Sequence, residues 1–121
     1  MRGMIKGIRV LGIALLVCIT WSSTAFAELV PLGNEFRINT TTAGDQDKPD
    51  VAMDAGGNFV VVWESPKEIV SCDAPDIYMQ RYFANGTPNG GEVKVNSYTA
   101  GPQAKPKVAM DNSGNFVVVW E

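Results

Sequence analysis

The stretch from residue 51 to residue 64, Val-Ala-Met-Asp-Ala-Gly-Gly-Asn-Phe-Val-Val-Val-Trp-Glu, recurs almost unchanged from residue 108 to residue 121. The longer segments 33–64 and 90–121 are offset by 57 positions and are identical at 21 of 32 aligned positions. A fixed period of this size is typical of a repeat architecture, in which each unit buries its faces against its neighbours. We therefore expect units at 33–89 and 90–121, which is about one and a half repeats.

Each unit is predicted to form four short β-strands. One set of four is expected at 49–54, 58–64, 76–83 and 92–96, the last of them at the start of the second unit, and 35–39 is an earlier copy of the fourth. Residues 59–63, Phe-Val-Val-Val-Trp, are apolar at every position, which is typical of a strand covered on both faces. The Asp/Gly/Asn clusters at 54–58 and 111–115 suit tight hairpins that need positive φ.

Four antiparallel strands within 57 residues, repeated in tandem, favour an all-β fold made of four-stranded β-propeller blades. An immunoglobulin-like β-sandwich is the alternative, because residues 28–121 hold enough candidate strands for one such domain. A sandwich gives no reason for one sequence to recur at a constant spacing. We therefore prefer an incomplete propeller-like repeat domain at 28–121.

Residues 1–27 are predicted to be a secretory signal peptide. Basic residues precede a short apolar stretch at 10–19, and Ala25-Phe26-Ala27 supplies the small residues that a cleavage site needs. The apolar stretch is shorter than the roughly 20 residues that span a bilayer. We expect cleavage after Ala27, no transmembrane segment afterwards, and a protein that is secreted, periplasmic or at the cell surface.

The charge and the rare residue types restrict the classes of partner and of chemistry. Removing the leader takes away three of the 10 basic side chains and none of the 13 acidic ones, which leaves a net charge of −6. An acidic surface argues against nucleic acid and anionic membranes as partners. Cys72 is the one cysteine after the leader and the chain has no His, so a Cys–His nucleophile and a Cys/His zinc site are excluded.

The motif Asp-x-x-Gly-Asn-Phe-Val-Val-Val-Trp, at 54–63 and 111–120, resembles a tandem repeat of large exported bacterial proteins. The flanking segments 33–39 and 76–82 belong to the same pattern. The Asp-x-x-Gly-Asn turn is also similar to the turns of NHL-type propeller blades. The resemblance implies a propeller-like scaffold and no particular activity, because such repeats occur in proteins of many functions.

The positions that recur in both units are the candidate site residues. They are Asp54, Gly57, Asn58 and Trp63, with their copies Asp111, Gly114, Asn115 and Trp120. The two aspartates cap the backbone of their own turns, bind Ca²⁺ or form part of a carbohydrate pocket, and we prefer capping. The two tryptophans either stack on sugar rings or pack in the core, and we prefer packing. Arg81 is expected to pair with a carboxylate such as Glu64.

No set of residues in the sequence forms a catalytic signature. We expect a non-enzymatic exported repeat module for binding or scaffolding, at the amino-terminal end of a larger propeller. One alternative is part of a carbohydrate-active propeller enzyme whose catalytic residues lie outside this sequence. Another is a short chain that closes a ring by self-association. No cofactor is expected, with Ca²⁺ as the one weak candidate, and the ligand and the number of blades stay open.

Overall fold

The computed structural model describes residues 33–66 and 74–121, together with the backbone of the short strands at 9–10, 13–14 and 30–31. The predicted leader and Cys72 therefore lie largely or wholly outside the described residues. The described strands are β1 (Arg9–Val10), β2 (Ile13–Ala14), β3 (Val30–Pro31), β4 (Phe36–Arg37), β5 (Asp47–Met53), β6 (Phe59–Ser65), β7 (Asp76–Tyr82), β8 (Val93–Lys94), β9 (Lys107–Met110) and β10 (Phe116–Val119). The described residues form no helix, which confirms the all-β prediction.

The first unit supplies β5, β6 and β7 of one antiparallel sheet in the order β5-β6-β7-β8, and β8 comes from the start of the second unit; we call this the first sheet. Val61 lies opposite Val51 on one side and opposite Gln80 on the other. The second unit contributes the antiparallel pair β9 and β10, and two further pairs join β1 to β4 and β2 to β3. The predicted four-stranded antiparallel sheet is confirmed.

The strand ends differ from the predictions by a few residues, for local reasons. β8 is shorter than the predicted 92–96 because the Asn96 side chain takes part in the strand pairing. Its Oδ1 accepts a hydrogen bond from the backbone N–H of Ile77 at 2.8 Å. β5 begins before Pro49 because a bulge lies between Asp47 and Asp50, where Lys48 has a φ of 48°.

Both faces of the first sheet are covered along β6, every residue of which is buried. Since neighbouring residues of a strand point to opposite faces, Phe59, Val61 and Trp63 share one face and Val60 and Val62 the other. We call these faces A and B respectively. Every apolar position of the Phe-Val-Val-Val-Trp run therefore packs in the interior, as the sequence predicts.

Face A is covered by the segment that precedes β5. Ile38 and the half-buried Phe36 pack with Phe59, Val61, Trp63 and Tyr82. The Tyr82 ring stacks on Phe59, with ring centroids 5.0 Å apart. Its hydroxyl donates to the backbone oxygen of Ile38 at 2.9 Å, so this buried phenol is satisfied.

Face B is covered by the second unit. β9 lies against β5 and β6, and Val60 and Val62 on face B are fully buried. The Asp50 Oδ2 accepts from the backbone N–H of Val108 at 2.9 Å, and its Oδ1 lies 3.6 Å from the Lys107 ammonium. The two repeat units are therefore stacked face to face and joined by polar contacts at the edge of the apolar interface.

Candidate functional site

The recurring Asp-x-x-Gly-Asn turns have the same geometry in both units. In the first, Asp54 accepts from the backbone N–H of Asn58 at 2.9 Å and from its side-chain amide at 2.8 Å. In the second, Asp111 accepts the corresponding bonds from Asn115 at 2.9 and 2.8 Å. Both carboxylate oxygens of each aspartate are thus engaged within their own turn, which is the geometry that the capping interpretation describes.

Glycine is needed inside each turn for a backbone reason. Gly57 has a φ of 85° and Gly114 a φ of 84°, in the left-handed region that side chains disfavour. A Cβ atom at Gly57 would also lie 3.1 Å from the Cβ of Ala84. The recurrence of glycine at this position follows from the shape of the hairpin.

The hydrogen bonds of these turns lower the pKa of both aspartates. The Asn58 side-chain amide is the largest cause at Asp54, and the Asn115 side-chain amide is the largest at Asp111. Backbone N–H groups of the turns add to the effect, and partial desolvation opposes it. The carboxylates are therefore held in the charged form that accepts hydrogen bonds.

We expect the turns to stabilise the fold fully above the ordinary aspartate pKa of 3.8, and to lose this contribution as the pH falls through the lower folded-state pKa. Asn58→Ala should raise the pKa of Asp54 towards 3.8 and leave that of Asp111 lowered. The measurement is a pH titration of the carboxyl carbons by nuclear magnetic resonance. Equal movement of both aspartates would contradict separate caps.

Each recurring tryptophan donates its indole N–H to a glutamine of the preceding loop. Trp63 donates to the Gln46 side-chain oxygen at 2.9 Å, and Trp120 donates to that of Gln103 at 2.8 Å. Trp63 is fully buried, whereas Trp120 is 39% exposed. The buried environment of Trp63 is the core packing that we prefer for the tryptophans. The glutamines were missed because nothing in a loop sequence marks burial, although both of them recur at the period of 57.

Glu64 joins the two units from a buried position. Its carboxylate accepts from the backbone N–H of Lys105 in the second unit at 2.6 Å and from the Lys48 ammonium at 3.1 Å. The predicted pairing of Arg81 with Glu64 is therefore wrong, because the Glu64 carboxylate is already occupied by Lys48 and Lys105. Arg81 is exposed instead, and its guanidinium group lies near Gly90.

A second buried carboxylate, Asp76, was not singled out in the sequence. Its Oδ1 accepts from the Asn96 side-chain amide at 2.7 Å, and its Oδ2 lies 3.5 Å from the Lys94 ammonium. The Asp76 side chain is 2% exposed and that of Lys94 is 37% exposed. This group fixes the β7–β8 edge of the sheet, since Asn96 also bonds to the backbone of Ile77.

A cleft of about 190 Å³ opens where the first sheet meets the β9–β10 hairpin. Its lining is mixed, with the residues Asp54, Asn58, Phe59, Arg81, Tyr82, Phe83, Asn89, Met110, Gly114 and Phe116. It brings the recurring residues Asp54, Asn58 and Gly114 of the two units to one place. It does not contain Trp63 or Trp120, so the tryptophans and the aspartates do not share a pocket.

Metal and membrane features were sought among the residues that the structure describes. These residues contain no group of three or more His, Cys, Asp or Glu side chains placed to hold a metal ion. Calcium binding at Asp54 and Asp111 stays a prediction. The same part of the chain has no helix long and apolar enough to cross a membrane.

Comparison with protein-family models, with curated proteins and with solved structures finds no match to this chain.

Proposed function

We propose that the chain is an exported, non-enzymatic repeat module whose sheets stack as β-propeller blades and serve in binding or scaffolding. The observation that supports it is the packing of the second unit on face B of the first. The edge contacts of that packing come from Glu64 and Asp50 on one unit and from 105–108 on the next. A covered blade face is what propeller blades require of their neighbours.

The recurring polar residues favour a scaffold over an enzyme. Asp54 is engaged by Asn58, Glu64 by Lys48 and Lys105, and the indole of Trp63 by Gln46. A general acid or nucleophile has to reach a substrate, whereas these groups bond to other residues of the two repeat units. The positions that the repeat retains therefore serve the architecture, and binding falls to the loops between strands, which tolerate variation.

The test follows the protein and its activity in a bacterial host. The full 121-residue sequence is produced with a carboxyl-terminal epitope tag. We expect the tag outside the cytoplasm, on a chain that mass spectrometry shows to begin at Glu28. Retention of an uncleaved chain in the cytoplasm would contradict export.

The enzymatic alternative is tested on the same purified protein with a panel of chromogenic glycosides. We expect hydrolysis no faster than in a mock purification from the host. Turnover that disappears in Asp54→Asn and persists in the exposed control Tyr98→Phe would replace the scaffold proposal with a carbohydrate-active enzyme. Tyr98 is a suitable control because it is 69% exposed and lies outside the cleft.

A further inference from the structure

The outer side of the β9–β10 hairpin carries an exposed apolar patch. Val117 is 59% exposed and Val119 is 57% exposed, and the exposed Ala109 and Lys107 lie opposite them on β9. We call these four residues the leading surface. A second exposed patch lies on β5, where Val51 is 52% exposed and Met53 is 60% exposed. We call these two residues the trailing surface.

The leading surface is the repeat copy of a surface that is already covered in this structure. Shifted by one period, its four residues correspond to Asp50, Ala52, Val60 and Val62 of the first unit. There, Val60 and Val62 are fully buried because β9 lies on this face. The same apolar face is thus covered in one unit and bare in the next.

Shifted by one period in the same way, the trailing surface corresponds to the residues of β9 that lie on face B of the first sheet. Val51 and Met53 correspond to Val108 and Met110, which are half-buried where β9 meets the first sheet. One molecule therefore carries exposed copies of residues from both halves of its own internal interface. Such unlike, complementary surfaces produce head-to-tail contacts.

The polar contacts of the internal interface also have counterparts at exposed positions. Glu64, which accepts from the Lys105 backbone N–H, corresponds to Glu121, whose side chain is 68% exposed. Lys105 corresponds to Lys48, so the Lys48 N–H of another copy can supply the matching donor. Asp50 and Lys107 occupy corresponding positions, so stacking places the Lys107 of one copy beside the Asp50 of the next with opposite charge.

We propose that a second copy of this chain docks its trailing surface on the leading surface and repeats the internal unit-to-unit interface head to tail. The inference rests on the stacking that underlies the proposed function, and not on export or on the lack of catalysis. Burying Val117 and Val119 against Val51 and Met53 removes exposed β-strand surface that is otherwise prone to aggregation.

The test uses the full chain and two blocking variants, Val119→Glu on the leading surface and Met53→Glu on the trailing surface. Light scattering coupled to size exclusion should show wild-type mass rising with concentration to at least twice the monomer. Each variant alone should be monomeric. An equimolar mixture should give a 1:1 heterodimer, because each variant keeps the surface that the other has lost.

Tyr98→Glu is the matched control, since it places the same charge on an exposed aromatic outside both surfaces, and it should associate like the wild type. Circular dichroism melting confirms folding, and Val117→Glu replaces Val119→Glu if the latter fails to fold. A monomeric wild type, a self-associating Met53→Glu chain or a mixture that stays monomeric would each overturn the proposal. The association experiments and the export and hydrolysis assays give independent results, so either proposal can be contradicted while the other stands.

Discussion

Replacement of Trp63 by Ala is expected to lower the free energy of unfolding by about 3–5 kcal/mol, the range for removing a buried aromatic side chain. Trp63 is fully buried and packs with Phe59 and Val61 on face A. The substitution also removes the indole donor to Gln46, whose own residue is 5% exposed and would keep an unpaired carbonyl. Urea denaturation at constant m-value measures the loss.

Trp120→Ala is the matched control for this substitution. It removes the same side chain and the same bond to glutamine, from a site that is 39% exposed. We expect a loss of about 1–2 kcal/mol, since less apolar area leaves the water at this site. Both substitutions are measured in a Val119→Glu background, so that association does not add to stability. Equal losses would contradict the difference in coverage between the two units.

Replacement of Glu64 by Ala is expected to lower the free energy of unfolding by about 2–3 kcal/mol, as for a lost hydrogen bond to a charged group. The Glu64 side chain is 7% exposed and accepts the Lys105 N–H at 2.6 Å. Without it, that N–H of the second unit loses its acceptor at the contact between the sheets. Thermal and urea unfolding of the wild type and of the Glu64→Ala variant measure the difference in the free energy of unfolding.

Two further variants separate the hydrogen bond of Glu64 from its ion pair. Glu64→Gln keeps an oxygen for the Lys105 N–H and removes the charge next to Lys48, which is 56% exposed. We expect it to cost below about 1 kcal/mol, because the Lys48 ammonium is on the solvent side of the pair, where water weakens the attraction. Glu121→Ala, at the exposed copy of the position, should change stability by less than about 0.5 kcal/mol. A Gln variant as unstable as the Ala variant would assign the stabilisation to the ion pair.

The sheet could be predicted from the sequence because its signals are local and recur. The uninterrupted apolar run at 59–63 predicts burial on both faces, and the Asp/Gly/Asn clusters predict hairpins with positive φ. The structure has both, with β6 wholly buried and Gly57 and Gly114 in the left-handed region. Because the turn sequence of the first unit recurs in the second, both hairpins have the same turn conformation.

The polar contacts between segments could not be predicted, because they join residues far apart in the chain. Gln46 and Trp63 are 17 positions apart, and Glu64 and Lys105 are 41 apart. Arg81 was paired with Glu64 in the prediction because both were placed by strand alternation alone, which gives a face but no partner. The Lys105 backbone N–H and the Lys48 ammonium donate to that carboxylate instead.

The left-handed conformation of Lys48 was also unexpected. It has a φ of 48° directly before Pro49, although a residue before proline favours extended backbone. Lys105, before Pro106, repeats the conformation with a φ of 53°. At Lys105 the unusual backbone is held by the bond from its N–H to Glu64, and a single sequence window contains no sign of that distant acceptor.

The contacts between the units join residues far apart in the chain, Asp50 with Val108 at a separation of 58 positions and Glu64 with Lys105 at 41. Adding or deleting a whole period keeps the Glu64–Lys105 contact type, because Glu121 and Lys48 are the copies of these two residues. An insertion of any other length separates the partners of each junction. A change of length in whole repeats therefore retains the glutamate position of the junction, whereas the position of Asp50 carries the opposite charge in its copy, Lys107.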